Sequence, residues 1–271
     1  MLPSDATPLA AFQRDGFATL PYDPLTADWA AAARAVARPL VQDPAQRARW
    51  LRCAGTWFAG VDLLPNAADG AVEGVPLAGA ALDLIHQMGL RPDRWHPAQV
   101  SVIYPGYPQP MEGESPAAAR YRIARDAAHV DGLLPVGPDR RRKLREPHAF
   151  ILGLPLNSAT PTAAPLVVWR GSHRIIGPAL CRVLGGHRVD DWPDLDLTEA
   201  YQTARRICFT DCERVLLPVQ PGMATLLHRH ILHGVSPWAA ADGDGAMTDR
   251  MIAYFRPQFP DVADWVPAPP A

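Results

Sequence analysis

From Gln99 to Arg256 the chain breaks into short apolar runs separated by turn-forming residues, and this rhythm restricts the fold more than any other feature. The runs are Gln99 to Tyr104, Tyr121 to His129, Ala149 to Leu156, Leu166 to Arg170, Arg214 to Val219, Met223 to His233 and Arg250 to Arg256. Short strands punctuated by turn signals are the pattern of an all-β barrel or sandwich, and seven or eight of them make a jelly roll. The 271 residues fit one such domain. Residues 1–97 read as a mainly helical flank and residues 98–257 as the β core. In the flank, Pro8 to Gly16 reads as a helix closed by glycine and Phe17 to Pro21 as a strand. Asp28 to Val41 reads as a packing helix that Pro39 should kink or end. Leu77 to Met88 carries an apolar stripe at helical spacing. Gly55 to Gly60 mixes glycine with Trp57 and Phe58, which suits either a pocket wall or plain core.

Inside the β region, Ala128-His129-Val130-Asp131-Gly132 places two metal-ligand side chains at i and i+2. On an extended backbone such residues project to one face, so the imidazole and the carboxylate converge. A third ligand has to come from a distant strand, and His233, at the end of the run before Gly234, is the candidate. Two histidines and one carboxylate occupy one face of an octahedral metal and leave three positions open, which is the arrangement of non-haem Fe(II) oxygenases. His228 and His230 compete with His233 for the distal role. If the run is one regular strand, His228 and His230 share a face and His233 takes the other.

The ordered set of His129-x-Asp131, the Gly171-Ser172-His173 turn, His233-Gly234, a following Arg250 and the N-terminal Phe12-Gln13-Arg14-Asp15-Gly16-Phe17 resembles the phytanoyl-CoA dioxygenase family. The likeness runs from Phe12 to about Pro257. It implies a double-stranded β-helix (cupin-like jelly roll) with an N-terminal helical segment. It also implies Fe(II) held by His129, Asp131 and His233, with 2-oxoglutarate and O2 as cosubstrates. Between His230 and His233 it favours the histidine before glycine. Arg250 is then expected to hold the far carboxylate of 2-oxoglutarate, with Arg256 ranked below it. Gln99, Ser101, Tyr104 and Ser172 are further candidates for cosubstrate contact, and closing their turn is the alternative role for Ser172 and His173. Arg250 follows His233 by 17 positions, more than the family's usual spacing, and the segment from Pro237 to Met247 is expected to absorb the excess. Pro237-Trp238 stands where the family often carries asparagine. The implied reaction is hydroxylation of a small molecule with release of succinate and CO2. A halogenase version would lack the carboxylate, and Asp131 is present. A demethylase or hydroxylase of a macromolecule, or a non-catalytic metal-binding jelly roll, are the alternatives.

Composition narrows the partners. A formal net charge of −2 and a pI near 6.5 provide no global field toward nucleic acid or an anionic membrane. Small molecules are the expected partners, and the basic run Arg140-Arg141-Arg142-Lys143, followed by Arg145, adds the expectation of an anionic substrate under a mobile lid. The four cysteines lack the paired spacing of a zinc site and read as reduced thiols. The N-terminal residues lack the pattern of a signal peptide and no stretch approaches ~20 apolar residues, so a cytoplasmic location is expected. Oligomeric state leaves no signature in the sequence.

Overall fold

The computed structural model describes residues 7–239 and 249–266. In chain order the elements are α1 (Pro8–Asp15), β1 (Phe17–Leu20), α2 (Pro24–Gln42), α3 (Pro44–Trp50), β2 (Leu51–Arg52), β3 (Trp57–Leu64), α4 (Ala80–Gln87), β4 (Ala98–Ile103), α5 (Pro116–Ile123), β5 (Leu133–Val136), β6 (Arg141–Leu144), β7 (Phe150–Pro155), β8 (Leu166–Trp169), α6 (His173–Leu184), α7 (Thr198–Asp211), β9 (Arg214–Leu217), β10 (Ala224–His228), β11 (His233–Val235) and β12 (Arg250–Phe255). A seven-stranded antiparallel sheet runs β1-β10-β7-β12-β4-β3-β2, and a three-stranded sheet runs β11-β8-β9.

Strand alternation sorts the side chains into layers. Phe58, Val100, Val102, Phe150, Leu152, Leu154, Met251, Ala253 and Phe255 leave the large sheet on its outer face, where they pack against Trp29, Ala33 and Ala37 of α2. Residues of the opposite parity, including Ile151 and Leu227, meet Leu166, Val168 and Leu217 of the small sheet in an inner layer. The far face of the small sheet, through Val167 and Trp169, is covered by α6 and α7. Two sheets face each other, and helices close both outsides.

Local chemistry explains where the boundaries differ from the sequence expectations. Asp23 accepts from Leu25 N at 2.8 Å and from Ala80 N at 2.9 Å, so α2 begins at Pro24 and the same carboxylate ties the start of α4 to it. Pro39 does not break α2. It lies in the last turn, where Asp43 N–H closes on Pro39 O at 3.0 Å. The run Tyr121 to His129 is not a strand: Ser115 caps Ala118 N at 3.2 Å, Pro116 takes the first turn, and α5 forms before a series of turns reaches His129. The run Met223 to His233 is two strands in two sheets, β10 and β11, joined by a turn in which Ile231 N bonds His228 O at 2.9 Å. The flank also supplies strands, since β1, β2 and β3 belong to the large sheet.

The basic run is no loose lid. It forms the hairpin β5–β6, in which Arg141 pairs with Asp196, while Lys143 and Arg145 approach Asp194 at 3.7 and 3.5 Å. The stretch from Ile176 to Thr210, unassigned in the sequence beyond Thr198 to Arg206, contains α6 and α7. The expected loop from Pro237 to Met247 lies largely outside the described residues. All four cysteines are free. Among the described residues no helix is long and apolar enough to cross a membrane.

Candidate metal centre

Two backbone segments build the site. His129 and His233 exchange backbone hydrogen bonds of 2.8 and 3.0 Å across an isolated bridge, which fixes the two imidazoles with ring centroids 4.6 Å apart. His233 is also opposite Val168 in the small sheet and shares its inward face. The approach is sterically exacting: a Cβ on Gly234 would lie 2.1 Å from Asp126 O, and one on Gly132 would lie 2.3 Å from Glu146 O at a φ of 87°. Both glycines beside the ligands are there because the neighbouring backbone passes too close for a side chain.

Asp131 Oδ1 lies 3.2 Å from His129 Nε2 and 3.7 Å from His233 Nε2. Adjacent donors on an octahedron with bonds of ~2.1 Å stand about 3 Å apart, so a small inward adjustment seats a metal. Each imidazole is oriented from behind. His129 Nδ1 lies 3.0 Å from Ala127 O and His233 Nδ1 lies 3.1 Å from Ile231 O. A carbonyl only accepts, so both Nδ1 atoms carry a proton and each ring presents its Nε2 to Asp131, the side from which a metal would bind. Among the described residues this is the one group of three His, Cys, Asp or Glu side chains with metal-binding geometry.

The electrostatics prepare the same exchange. Burial pushes the Asp131 carboxyl up, but the hydrogen bond from His129 and the positive fields of His233, His129 and Arg256 hold it well below the usual carboxylate range. For His129 burial pulls the other way, and the hydrogen bond and charge of Asp131 raise it above its ordinary value. His233 titrates low, at about 4, first because it is buried and then because His129 is beside it. The proton shared by His129 and Asp131 is the one a divalent cation displaces.

Arg250 starts β12 opposite Ile103 and is 6% exposed; among the described residues it has no ion-pair partner and its Nη2 lacks any hydrogen-bond partner. A buried guanidinium with an unsatisfied donor is built for an anion. Its ladder partner Ile103 packs in one apolar cluster with Tyr107, Trp57 and Val235, and Trp57 Nε1 donates to Ser101 Oγ at 3.1 Å. Burial first of all raises the Tyr107 phenol, and Arg250 pulls it partly back. Neither Tyr107 nor Trp57 stood out as a site residue in the sequence, although the mixed glycine and aromatic run did flag Trp57 as a candidate wall.

The other expected contacts separate by strand face. Gln99 pairs with Tyr254 on the inner face, beside Ser101. Tyr104 has the opposite parity: it packs against the helix-side core, and Arg47 Nη1 lies 3.4 Å from its hydroxyl, so it is set apart from Arg250. Ser172 is fully buried and its hydroxyl accepts from Leu232 N at 2.8 Å, which directs it to the backbone beside His233 rather than to a cosubstrate. His173 reaches Gln13 O at 3.3 Å. His228 and His230 form a separate buried group with His173 and Trp265.

No protein-family profile matches the sequence, and no curated protein matches it significantly. Solved structures do. The chain is similar to the non-heme alpha ketoglutarate dependent carbocyclase SnoK from nogalamycin biosynthesis, with 16% identity, a TM-score of 0.53, and 96% of this chain and 88% of that one covered. It is also similar to EctD from S. alaskensis with bound Fe, at 20% identity, a TM-score of 0.49, and 94% and 78% coverage. The two-sheet fold described above is therefore the fold of SnoK.

Proposed function

We propose that the chain is a non-haem Fe(II)- and 2-oxoglutarate-dependent dioxygenase that hydroxylates a small molecule with release of succinate and CO2. The observation that carries this reading is the pairing of the His129, Asp131 and His233 donors with an unpartnered, buried Arg250 on the facing sheet. Two imidazoles and one carboxylate with open positions suit Fe(II), and a lone guanidinium suits the far carboxylate of a 2-oxo diacid. When bound, the iron and 2-oxoglutarate supply O2 activation through oxidative decarboxylation.

The protein's own residues do the positioning. Ala127 and Ile231 carbonyls hold the histidine tautomers, and Arg250 anchors the cosubstrate from the buried end. Ile252 and Tyr254, alternating with the core residues of β12, line the inner face between Arg250 and the metal end and exclude water from it. The double-stranded β-helix topology, the likeness to the phytanoyl-CoA dioxygenase family and a cytoplasmic setting belong to the same reading. The cofactor named for SnoK, whose fold the chain shares, agrees with this donor set. Against a macromolecular substrate gripped by the basic run stand the ion pairs of Arg141, Lys143 and Arg145 with Asp194 and Asp196. A non-catalytic metal-binding role leaves the unpaired Arg250 without a purpose.

Anaerobic titration with Fe(II) and 2-oxoglutarate, followed by O2 and quantification of succinate, tests the proposal. Cosubstrate binding that requires the metal, and succinate formed in step with 2-oxoglutarate loss, are the expected results. Metal binding with no 2-oxoglutarate binding would overturn it.

A further inference from the structure

A second arginine stands at the other end of the same inner face. Arg256 directly follows β12, six positions beyond Arg250, so their Cα atoms start about 20 Å apart. The Arg250 residue is buried at 6% exposure, whereas the Arg256 side chain is 22% exposed, so Arg256 stands at the more open end of this face. Its Nη1 lies 3.5 Å from Oδ2 of Asp131, the ligand carboxylate. No other carboxylate pairs with it among the described residues.

The arginine is held in place by its own backbone. His148 Nδ1 donates to Arg256 O at 3.0 Å, and Glu146 approaches His148 Nε2 at 3.1 Å. A cleft of about 110 Å³ opens beside it, lined by Tyr254, Arg256, His148, Glu146, His96 and Gln258 among others. That is the room of three or four waters, enough for a polar head group but not for a whole drug-sized ligand. Glu146 and Asp62 are the competing anions in this cleft; the Glu146 carboxylate is directed to His148, and neither forms an ion pair with the guanidinium.

Metal binding changes what Arg256 faces. A divalent cation seated on Asp131 Oδ1, the oxygen that faces both histidines, would leave Oδ2 beside Arg256 but draw off its charge, weakening the arginine's one ion pair among the described residues in a partly desolvated position. An anion arriving from the open side makes up that loss. We propose that Arg256 is an anion-binding residue of the substrate pocket, receiving the carboxylate of a small acidic substrate next to the metal centre. This rests on the dioxygenase reading above and specifies its substrate class. It moves the anionic recognition expected of the basic run from the β5–β6 hairpin to the end of β12.

The test uses the full chain loaded with Fe(II) and 2-oxoglutarate under anaerobic conditions, with matched probes: benzoate against benzamide, phenylacetate against phenylacetamide, and hexanoate against hexanamide. The loaded wild-type protein should bind the acids at least ten times more tightly than the amides. The preference should vanish in Arg256→Gln, persist in reduced form in Arg256→Lys, and grow two- to fivefold in Glu146→Gln, with 2-oxoglutarate affinity changed less than threefold throughout. Equal binding of acids and amides, no acid binding up to millimolar concentration, or a preference that survives in Arg256→Gln would overturn the proposal. A tenfold loss of 2-oxoglutarate affinity in Arg256→Gln would overturn it too, by assigning Arg256 to the cosubstrate. Failure of 2-oxoglutarate to bind the wild-type metal-loaded protein at all would instead remove the underlying dioxygenase reading, and is visible before any probe is added.

Discussion

Arg214 on β9 grips Asp126 with two hydrogen bonds of 2.7 and 2.8 Å, three residues ahead of the candidate metal ligand His129. Asp126 sits at a φ of 51° in the turn that delivers His129 to its bridge with His233, and its carbonyl accepts from Val235 N at 2.9 Å. The fork fixes a turn that propensity alone would not hold. Arg214→Ala leaves a buried carboxylate unpaired, at a cost of about 1–3 kcal/mol given how exposed the arginine is. Thermal melts should record the lost stability, and metal titration a weaker site. A variant with wild-type metal affinity would show that the turn needs no such fork.

The three ligands should fail individually and their neighbours should not. His129→Ala, Asp131→Ala and His233→Ala are each expected to lower Fe(II) affinity by more than about 100-fold, since losing a mere outer partner of a ligand already costs 10- to 100-fold. His230→Leu should bind metal normally, because His230 lies in the separate group with His228 and Trp265. Equilibrium dialysis with Fe(II) or Co(II) distinguishes these outcomes.

Arg250→Gln removes the cosubstrate anchor without touching the ligands. Leaving a buried carboxylate without its charged partner costs about 2–5 kcal/mol, so the 2-oxoglutarate requirement should rise at least roughly 30-fold while metal affinity holds. An unchanged KM for 2-oxoglutarate would free Arg250 from this role.

Acid should destabilise the fold through His228 and His230. Burial, followed by the charge of Arg229 for His228 and the charge of His228 for His230, holds both well below their ordinary 6.5. The unfolded chain then binds protons that the native chain refuses. Stability is complete above pH ~6.5 and is lost as the pH falls below it, by up to about 1.4 kcal/mol per histidine per pH unit. Urea unfolding of chelator-treated protein at pH 7.5, 6.5 and 5.5 measures the slope. His230→Leu should reduce it by one histidine's share, and an unaltered slope would place the acid sensitivity elsewhere.

The convergence of the candidate donors was more legible in the sequence than the backbone that carries them. His129 and Asp131 converge as expected, yet not from a strand end: α5 and a series of turns replace the expected strand, because the Ser115-Pro116 cap and the alanines after it outweigh the apolar pattern. The alternation drawn through Met223 to His233 fails for a related reason. Gly234 lets β11 approach the segment from Asp126 to Ala128, so the chain leaves one sheet for the other between His228 and His233, and parity does not carry across that turn. Tyr104 and Gln99 were separable from spacing alone, since residues five apart on a strand face opposite ways. The pairing of the basic run with Asp194 and Asp196 depends on contacts about 50 residues apart in sequence, which no local pattern reveals.

The division of the site between two layers has a mechanical consequence. His233 rides on the small sheet, with His129 bridged to it, whereas Arg250 and Arg256 both ride on β12 of the large sheet. The candidate metal ligands and the two arginines therefore stand on opposite banks of one seam, whose width is set by Ile151, Leu166, Val168, Leu217 and Leu227. Because a close-packed interior transmits changes of a single methylene, trimming one of these residues shifts Arg250 and Arg256 against His129, Asp131 and His233 without altering any of the five.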